Sequence, residues 1–364
     1  NAMKILGIES TCDETAAAVV EFNGSKISRS QSVKMDLLSS VVHTQIDIHA
    51  QYGGVIPEVA ARSHIEYINP VVNQALVESN LTMSDIDGIA VSYAPGLIGS
   101  LLVGTLAART YARIFDKPFY PVHHVEAHIY ANFLNDNPPK FPFLALVASG
   151  GHSQIVLFRG HSDFEILGET QDDAVGEAFD KVAKILGLSY PGGPSIAKAA
   201  LSGDSSAYKL PKAKLKGKYD FSFSGLKTAV LRAVQREVGV DFTFPSFELA
   251  DKLSEQQKND FAASFQKVAV ETLVDKLQRA TEDFDPKTVV IAGGVAANQE
   301  LRRELIERVS NKVPDDIIFT PPQLCTDNAA MVATLGAFEY LLDKPKDPLE
   351  LEVKPSLSMN DSKW

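Results

Sequence analysis

Cysteine is nearly absent from this sequence: Cys12 and Cys325 are the only two among 364 residues. A disulfide-stapled scaffold is therefore excluded, and a reducing cytoplasm is the expected location. Long apolar runs are missing as well. No stretch approaches the roughly 20 apolar residues that a membrane-spanning helix needs, so no membrane association is expected. Neither a charged-then-apolar leader nor an Arg-rich transit segment is seen at the start. Asn1 and Ala2 precede Met3 and read as an expression scar. Excess positive charge is also lacking. The formal net charge is −11, whereas nucleic-acid binders usually present a basic surface. A nucleic-acid partner would then need a local basic patch or the help of other proteins.

What is present describes a globular chain. Hydrophobic residues make up 45% and charged residues 22%, and the length is ample for two domains. Residues 4–9 read as a short apolar strand, 10–15 as a polar loop and 16–22 as a second strand. Asn23-Gly24 is a hairpin signal, because both residues tolerate positive φ, and 27–35 return as a third strand. Apolar positions at three and four spacing predict a helix over 56–76. A strand at 86–92, a Pro/Gly turn at 93–99 and a small-residue helix at 100–114 follow.

The order then recurs. An apolar strand at 143–148 runs into the turn Ser149-Gly150-Gly151. Strands are expected at 154–158 and 164–169, with a turn at Arg159-Gly160 between them. A long helix at 255–280, a strand at 288–292, the turn Gly293-Gly294, a helix at 299–309 and a strand at 316–320 come next. The last helix, 327–342, would return to the first lobe in a duplicated fold. Beyond Lys344 the composition predicts a loosely ordered tail. This repetition predicts an α/β protein of two similar lobes, neither simply doubly wound nor a barrel.

Three of the eight histidines fall in Val122-His123-His124-Val125-Glu126-Ala127-His128. On a helix His124 and His128 lie about 40° apart around the axis, so both imidazoles can chelate one ion such as zinc or iron. Satisfied surface or core histidines show the same spacing. The extra His123 and a later acidic motif favour a metal. Glu126 sits about 200° round from His124. A zincin instead places its glutamate directly after the first histidine, so the peptidase reading loses its main support. Asp327, in Leu324-Cys325-Thr326-Asp327-Asn328, supplies a third ligand or serves only as a helix N-cap.

The two glycine turns let backbone N–H groups approach an anionic or planar ligand, and neither is a P-loop. Asp13 and Glu14 end the first loop and suit an acid–base role or a solvated turn. Asp172, Asp173, Glu177 and Asp180 cluster at a helix start, where acids also suit the dipole. Five lysines between Lys209 and Lys218, followed by Tyr219, Phe221 and Phe223, suit an RNA backbone and a stacked base, or a solvated loop before a core strand.

In this order the motifs resemble one family, the universal tRNA threonylcarbamoyladenosine synthases (the TsaD family), once described as O-sialoglycoprotein endopeptidases. The resemblance is carried by Gly7 to Thr15, Gly53 to Glu58, Pro95-Gly96, His123 to His128 and Ser149 to His152. It continues through Asp172 to Lys181, Pro191 to Pro194, Phe221 to Lys227, Gly293 to Asn298 and Cys325 to Asn328.

The resemblance implies a duplicated actin, Hsp70 and sugar-kinase-like α/β fold, with a nucleotide and metal site between two lobes. Residues 3–121 plus 328–350 would form the first lobe. Residues 122–327 would form the second, with an insertion around 200–250. His124, His128 and Asp327 would bind one divalent metal, iron by resemblance, with zinc or magnesium as alternatives. Val147, Ala148, Ser149, Gly150 and Gly151 would line the nucleotide and substrate site. Asp180, Gly193 and Asn298 would contact the nucleotide, either threonylcarbamoyl-AMP or ATP/AMP. Asp13 and Glu14 match acidic positions associated with activity.

The reaction implied is transfer of the threonylcarbamoyl group from threonylcarbamoyl-AMP to N6 of adenosine 37 in tRNAs reading codons that begin with A. Implied partners are tRNA, a paralogous TsaB-like subunit, a small TsaE-like ATPase and an upstream threonylcarbamoyl-AMP synthase. Where archaeal and eukaryotic relatives supply a tyrosine ligand this chain has Val147, so water or substrate would complete the coordination. The alternative function is an ATP-binding regulatory or chaperone-like module of the same fold.

Overall fold

A computed structural model describes all 364 residues. β1 (Ala2–Glu9), β2 (Glu14–Asn23) and β3 (Asp36–Thr44) form an antiparallel meander, with Ile5 opposite Val20 and Glu9 opposite Ala16. One short helix follows, α1 (Ile46–Ala50), and then the long α2 (Pro57–Glu78). Proline at the first helical position of α2 gives up an N–H that has no intrahelical partner anyway. β4 (Gly88–Ala94) pairs parallel to β1, and β5 (Phe119–His123) pairs parallel to β4. α3 (Ile98–Ile114) connects these two, and α4 (His124–Tyr130) leaves directly from β5.

The second sheet is built from β6 (Phe143–Ala148), β7 (Ser153–Gly160), β8 (Asp163–Glu169), β9 (Thr288–Ala292) and β10 (Ile317–Phe319). The strand orders are β3-β2-β1-β4-β5 and β8-β7-β6-β9-β10. Each is a run of three consecutive strands whose first member pairs with the fourth, so the repetition in sequence is a repetition in topology.

Between β8 and β10 lie α5 (Val175–Ile185), α6 (Gly192–Ala200), α7 (Ser224–Val238), α8 (Glu255–Phe284) and α9 (Gln299–Arg308). α7 stops at Gly239, whose φ of 74° is the left-handed conformation glycine adopts without strain. α8 starts in a capping box: Ser254 Oγ accepts from the Gln257 amide and Gln257 Oε1 accepts from the Ser254 amide. Phe179 of α5 packs edge-on to Phe265 of α8, and Tyr208 stacks on Phe261. α10 (Pro322–Cys325) and α11 (Ala330–Leu341) complete the helices.

Two compact units result. Unit 1 comprises Asn1–Phe143, Phe158–Glu165 and Thr320–Trp364; unit 2 comprises Leu144–Leu157 and Ile166–Phe319. The division thus lies some twenty residues beyond the one expected at 121/122. The reason is packing: Tyr130, the last residue of α4, and Phe133, just past it, meet Phe338 of α11 within the first unit. α11 does pack on the first sheet. Gly7 makes this close approach possible, since a Cβ there would stand 2.5 Å from the Ala329 carbonyl and the Ala333 amide.

Three local expectations change. Asn23-Gly24 makes no two-residue hairpin, because β2 pairs with β3 only from Glu21 opposite Asp36, so the connection is long and 27–35 is not a strand. The turn expected at Arg159-Gly160 is instead the end of β7. The tail is not loose. Amide N–H groups of Lys346 and Lys354 donate to the carbonyls of Phe119 and Tyr93, and Gly96 donates to Pro355. Trp364 Nε1 donates to the buried Glu126. No helix is long and apolar enough to cross a membrane.

Candidate active site

The sharpest geometry lies in unit 1, where the ends of β1 and β5 meet the chain entering α11. His124 and His128 share one face of α4, and Asp327 precedes α11. Their ligand atoms all lie within 4.8 Å of one another. Both imidazoles aim Nε2 at Asp327 Oδ1, at 3.3 Å from His124 and 3.0 Å from His128. Asp327 is not spent as a helix cap. Its neighbour Asn328 does that work, with Oδ1 accepting from the Met331 amide at 3.0 Å.

Behind His124 stands Glu9, the last residue of β1. His124 Nδ1 lies 3.1 Å from Glu9 Oε2 and 3.3 Å from Thr11 Oγ1. Ser92 Oγ and the Thr11 amide also donate to Glu9, at 2.6 and 2.9 Å. A carboxylate that holds the far nitrogen of an imidazole fixes its tautomer and raises its basicity as a ligand. His128 has no such brace: its Nδ1 is buried without a partner.

Burial alone would push these groups toward their uncharged forms, and the opposite happens. Glu9 and Asp327 hold the His124 imidazolium well above its ordinary range. His124 and His128 hold Asp327 far below the carboxylate range, and His124 lowers Glu9 against its burial.

A second trio, Asp13, Glu14 and Asp327, also brings its oxygens within 4.8 Å of one another. Burial first, then a hydrogen bond to Asp13 and the charges of Asp327 and Asp13, push the Glu14 carboxyl well above its usual range. Four carboxyl groups facing two imidazoles leave negative charge to spare, which is the chemistry of a cation site. The donor set fits a divalent metal.

His123 and Glu126 play other parts. His123 caps α4 by accepting from the Val125 amide, and its Nε2 donates to the Leu357 carbonyl. Burial lowers it to about 4, so it stays neutral. Glu126 is engaged by Trp364 as described, not by the histidines.

In unit 2 the two glycine turns and the first turn of α5 pack together. The Gly176 amide donates to the Ser149 carbonyl at 3.1 Å. A Cβ on Gly293 (φ 92°) would strike the Ala148 carbonyl. Asp180 Oδ1 accepts from the Gly192 amide at 2.8 Å, and a Cβ on Gly192 would stand 2.5 Å from the Phe179 carbonyl. Around Gly150, Gly151, Gly193 and Gly294 a Cβ would meet nothing within 4 Å, so their backbone faces open space. Val147 and Ala148 have fully buried side chains, which leaves Ser149, Gly150 and Gly151 as the exposed part of their turn. Asn298 caps α9, accepting from the Leu301 amide at 2.9 Å, and donates to Gln266.

Residues 36–334 match the sequence profile of TsaD, tRNA N6-adenosine threonylcarbamoyltransferase. The chain belongs to the TsaD family. A tRNA N6-adenosine threonylcarbamoyltransferase from Symbiobacterium thermophilum is 47% identical over 98% of this chain and 96% of its own length. Those of Listeria welshimeri and Clostridium novyi are 46% and 47% identical over 98% and 99% of this chain and 97% and 98% of theirs. Among solved structures, HypF from T. kodakarensis superposes with a TM-score of 0.56 at 15% identity, over 94% of this chain. This chain spans about half, 48%, of that protein, and the likeness is one of fold.

In this TsaD-family chain the sequence reading missed Glu9, Thr11 and Ser92. A lone acid at the end of an apolar strand was the available signal. The aromatic residues and two lysines of the lysine-rich loop are engaged within the protein. Phe221 and Phe223 are fully buried, Lys212 pairs with Glu271 and Asp275, and both Lys218 and Tyr219 bind Asp283.

Proposed function

We infer that the chain transfers a threonylcarbamoyl group to N6 of a tRNA adenosine, and that the groups around Asp327 carry out the chemistry. The convergence of His124, His128 and Asp327, with Glu9 bracing His124, is the observation that carries this assignment. Two imidazoles and one carboxylate form the donor set that non-haem iron favours, so iron is proposed ahead of zinc or magnesium. Bound by these three side chains, the ion would supply Lewis-acid polarisation of a carbonyl or phosphate oxygen.

The remaining steps belong to the chain's own residues. The open turns at Ser149-Gly150-Gly151 and Gly193, shaped by Asp180 and Asn298, are proposed to hold the AMP part of threonylcarbamoyl-AMP. N6 of adenosine 37 attacks the carbamoyl carbon, the new C–N bond forms, and AMP leaves as its bond to that carbon breaks. The Asp13–Glu14 pair takes the proton released from N6.

The paralogous TsaB-like subunit is proposed to dock on α3. Ile98, Leu102 and Leu106 recur there every four residues and are 58%, 50% and 62% exposed, an apolar stripe on one helix face. A small TsaE-like ATPase and a threonylcarbamoyl-AMP synthase complete the proposed setting. A regulatory ATP-binding module would not need the His124–His128–Asp327 convergence.

The test is reconstitution. Purified protein, threonylcarbamoyl-AMP and unmodified tRNA are combined with and without the partner proteins, and the digested tRNA is analysed by mass spectrometry. The modified nucleoside should form with wild type and vanish with His124→Ala. Product that persists in His124→Ala sinks the metal assignment, and absence of product with all partners present sinks the transfer reading.

A further inference from the structure

Unit 2 carries a second concavity that the transfer chemistry does not use. Lys181 and Ile185 of α5, with Lys184 beside them, Lys227 and Leu231 of α7, and Phe247 line a cavity of about 230 Å³. Asp173 bridges two of these cations, with Oδ2 at 3.1 Å from Lys181 Nζ and 3.3 Å from Lys227 Nζ. Glu177 also pairs with Lys181 at 2.8 Å. Two carboxylates thus hold Lys181 and Lys227 in place and offset their charge, and Lys184, which has no carboxylate partner, leaves one net positive charge at the cavity. Phe247 is 77% exposed at the rim.

The combination is selective. A small inorganic anion has no use for Phe247 and Leu231. An apolar peptide has no use for three lysines. A nucleotide in an unstacked loop uses both, since its phosphates meet ammonium groups and its base stacks on an aromatic ring. With a formal charge of −11, the chain meets an RNA partner through a local cationic site such as this one or with the help of other proteins.

α5 also fixes where the cavity lies within the unit. Gly176, in its first turn, packs on Ser149. Lys181 and Lys184 follow on the same helix, about 8 and 12 Å further along the axis. Neighbouring nucleotides of one RNA loop can thus reach the glycine turn and the lysines together.

We propose that this cavity is the tRNA docking site of unit 2. Anticodon-loop phosphates lie against Lys181, Lys184 and Lys227, and one unstacked base lies on Phe247. The identity of the RNA rests on the transfer reading above.

Binding of labelled, unmodified tRNA to the full-length protein, followed by anisotropy across a salt series, tests the assignment. Lys184→Glu and Phe247→Ala remove no ion pair and no core contact. Each should raise Kd roughly tenfold. Lys184→Glu should also flatten the dependence of log Kd on log salt by about one unit. In turnover, KM for tRNA should rise while kcat holds. Lys209→Glu, in the other lysine loop, should leave Kd unchanged.

An unchanged Kd in the double variant overturns the docking site. So does a double variant that loses only its inhibition by inorganic phosphate or AMP, which would make this a small-anion pocket. Wild type that binds tRNA through these residues yet forms no modified nucleoside leaves the docking intact and removes the transfer reading.

Discussion

His124 Nδ1 and Glu9 Oε2 stand 3.1 Å apart, at the junction of a buried strand end and a helix start. An ionised carboxylate can only accept, so with a metal on Nε2 the ring would keep its remaining proton on Nδ1, held by Glu9. Glu9→Gln keeps the shape and removes the charge. Metal affinity should fall roughly 10–100-fold, measured by anaerobic titration with Fe(II) and in parallel with Zn(II). Unchanged affinity would mean that Glu9 serves packing alone.

Asp327 and Asn328 divide two tasks that the sequence leaves merged. Asn328 caps α11 and also donates to the carbonyls of Leu324 and Thr326, while Asp327 faces the histidines. Asp327→Asn should therefore lose stoichiometric metal with little change in melting temperature. Asn328→Ala should cost about 1–2 kcal/mol as a lost cap. The reverse pattern, a melting loss in the first and a metal loss confined to the second, would return Asp327 to a capping role.

Glu14 sits half-buried beside Asp13, and burial, Asp13 and Asp327 push its carboxyl well above the usual range. Removing either acid removes the proposed acceptor for the N6 proton. Glu14→Gln and Asp13→Asn should each lower kcat by roughly 10²–10⁴-fold, with metal content retained. Near wild-type turnover in both variants would assign the base elsewhere.

The continuous apolar runs at 143–148 and 288–292 were legible as buried strands because both faces of a central strand are covered. The His124–His128 pair was legible because helical spacing alone places both on one face. Glu9 was not. Its role depends on Ser92 and His124, which arrive from 83 and 115 residues away, and no local pattern announces that. The tail failed for a similar reason: Pro, Lys and Asp read as loose, but backbone bonds to β4 and β5 and the Trp364–Glu126 contact hold it. Asn23-Gly24 failed because a turn signal is only a permission, and β2 continues past the point where β3 could have paired. The lysine cavity escaped notice because its members come from three separate segments.

His161 offers a pH test remote from the proposed chemistry. It is fully buried. Its Nε2 donates to the Gln31 carbonyl at 2.8 Å and its Nδ1 accepts from the Tyr130 hydroxyl at 2.7 Å, so the ring is neutral. Burial, with Arg29 nearby, lowers its pKa from 6.5 to about 4 despite the Gln31 bond. Below pH 6.5 the unfolded chain binds a proton that the folded chain refuses. The stability contribution is therefore complete above 6.5 and is lost as pH falls toward 4, by about 3 kcal/mol. His161→Gln does not titrate and carries a fixed penalty at every pH. Urea midpoints of wild type and variant at pH 7.5, 5.5 and 4.5 should draw together as the pH drops. A constant gap over that range would show that His161 titrates alike in the folded and unfolded chain.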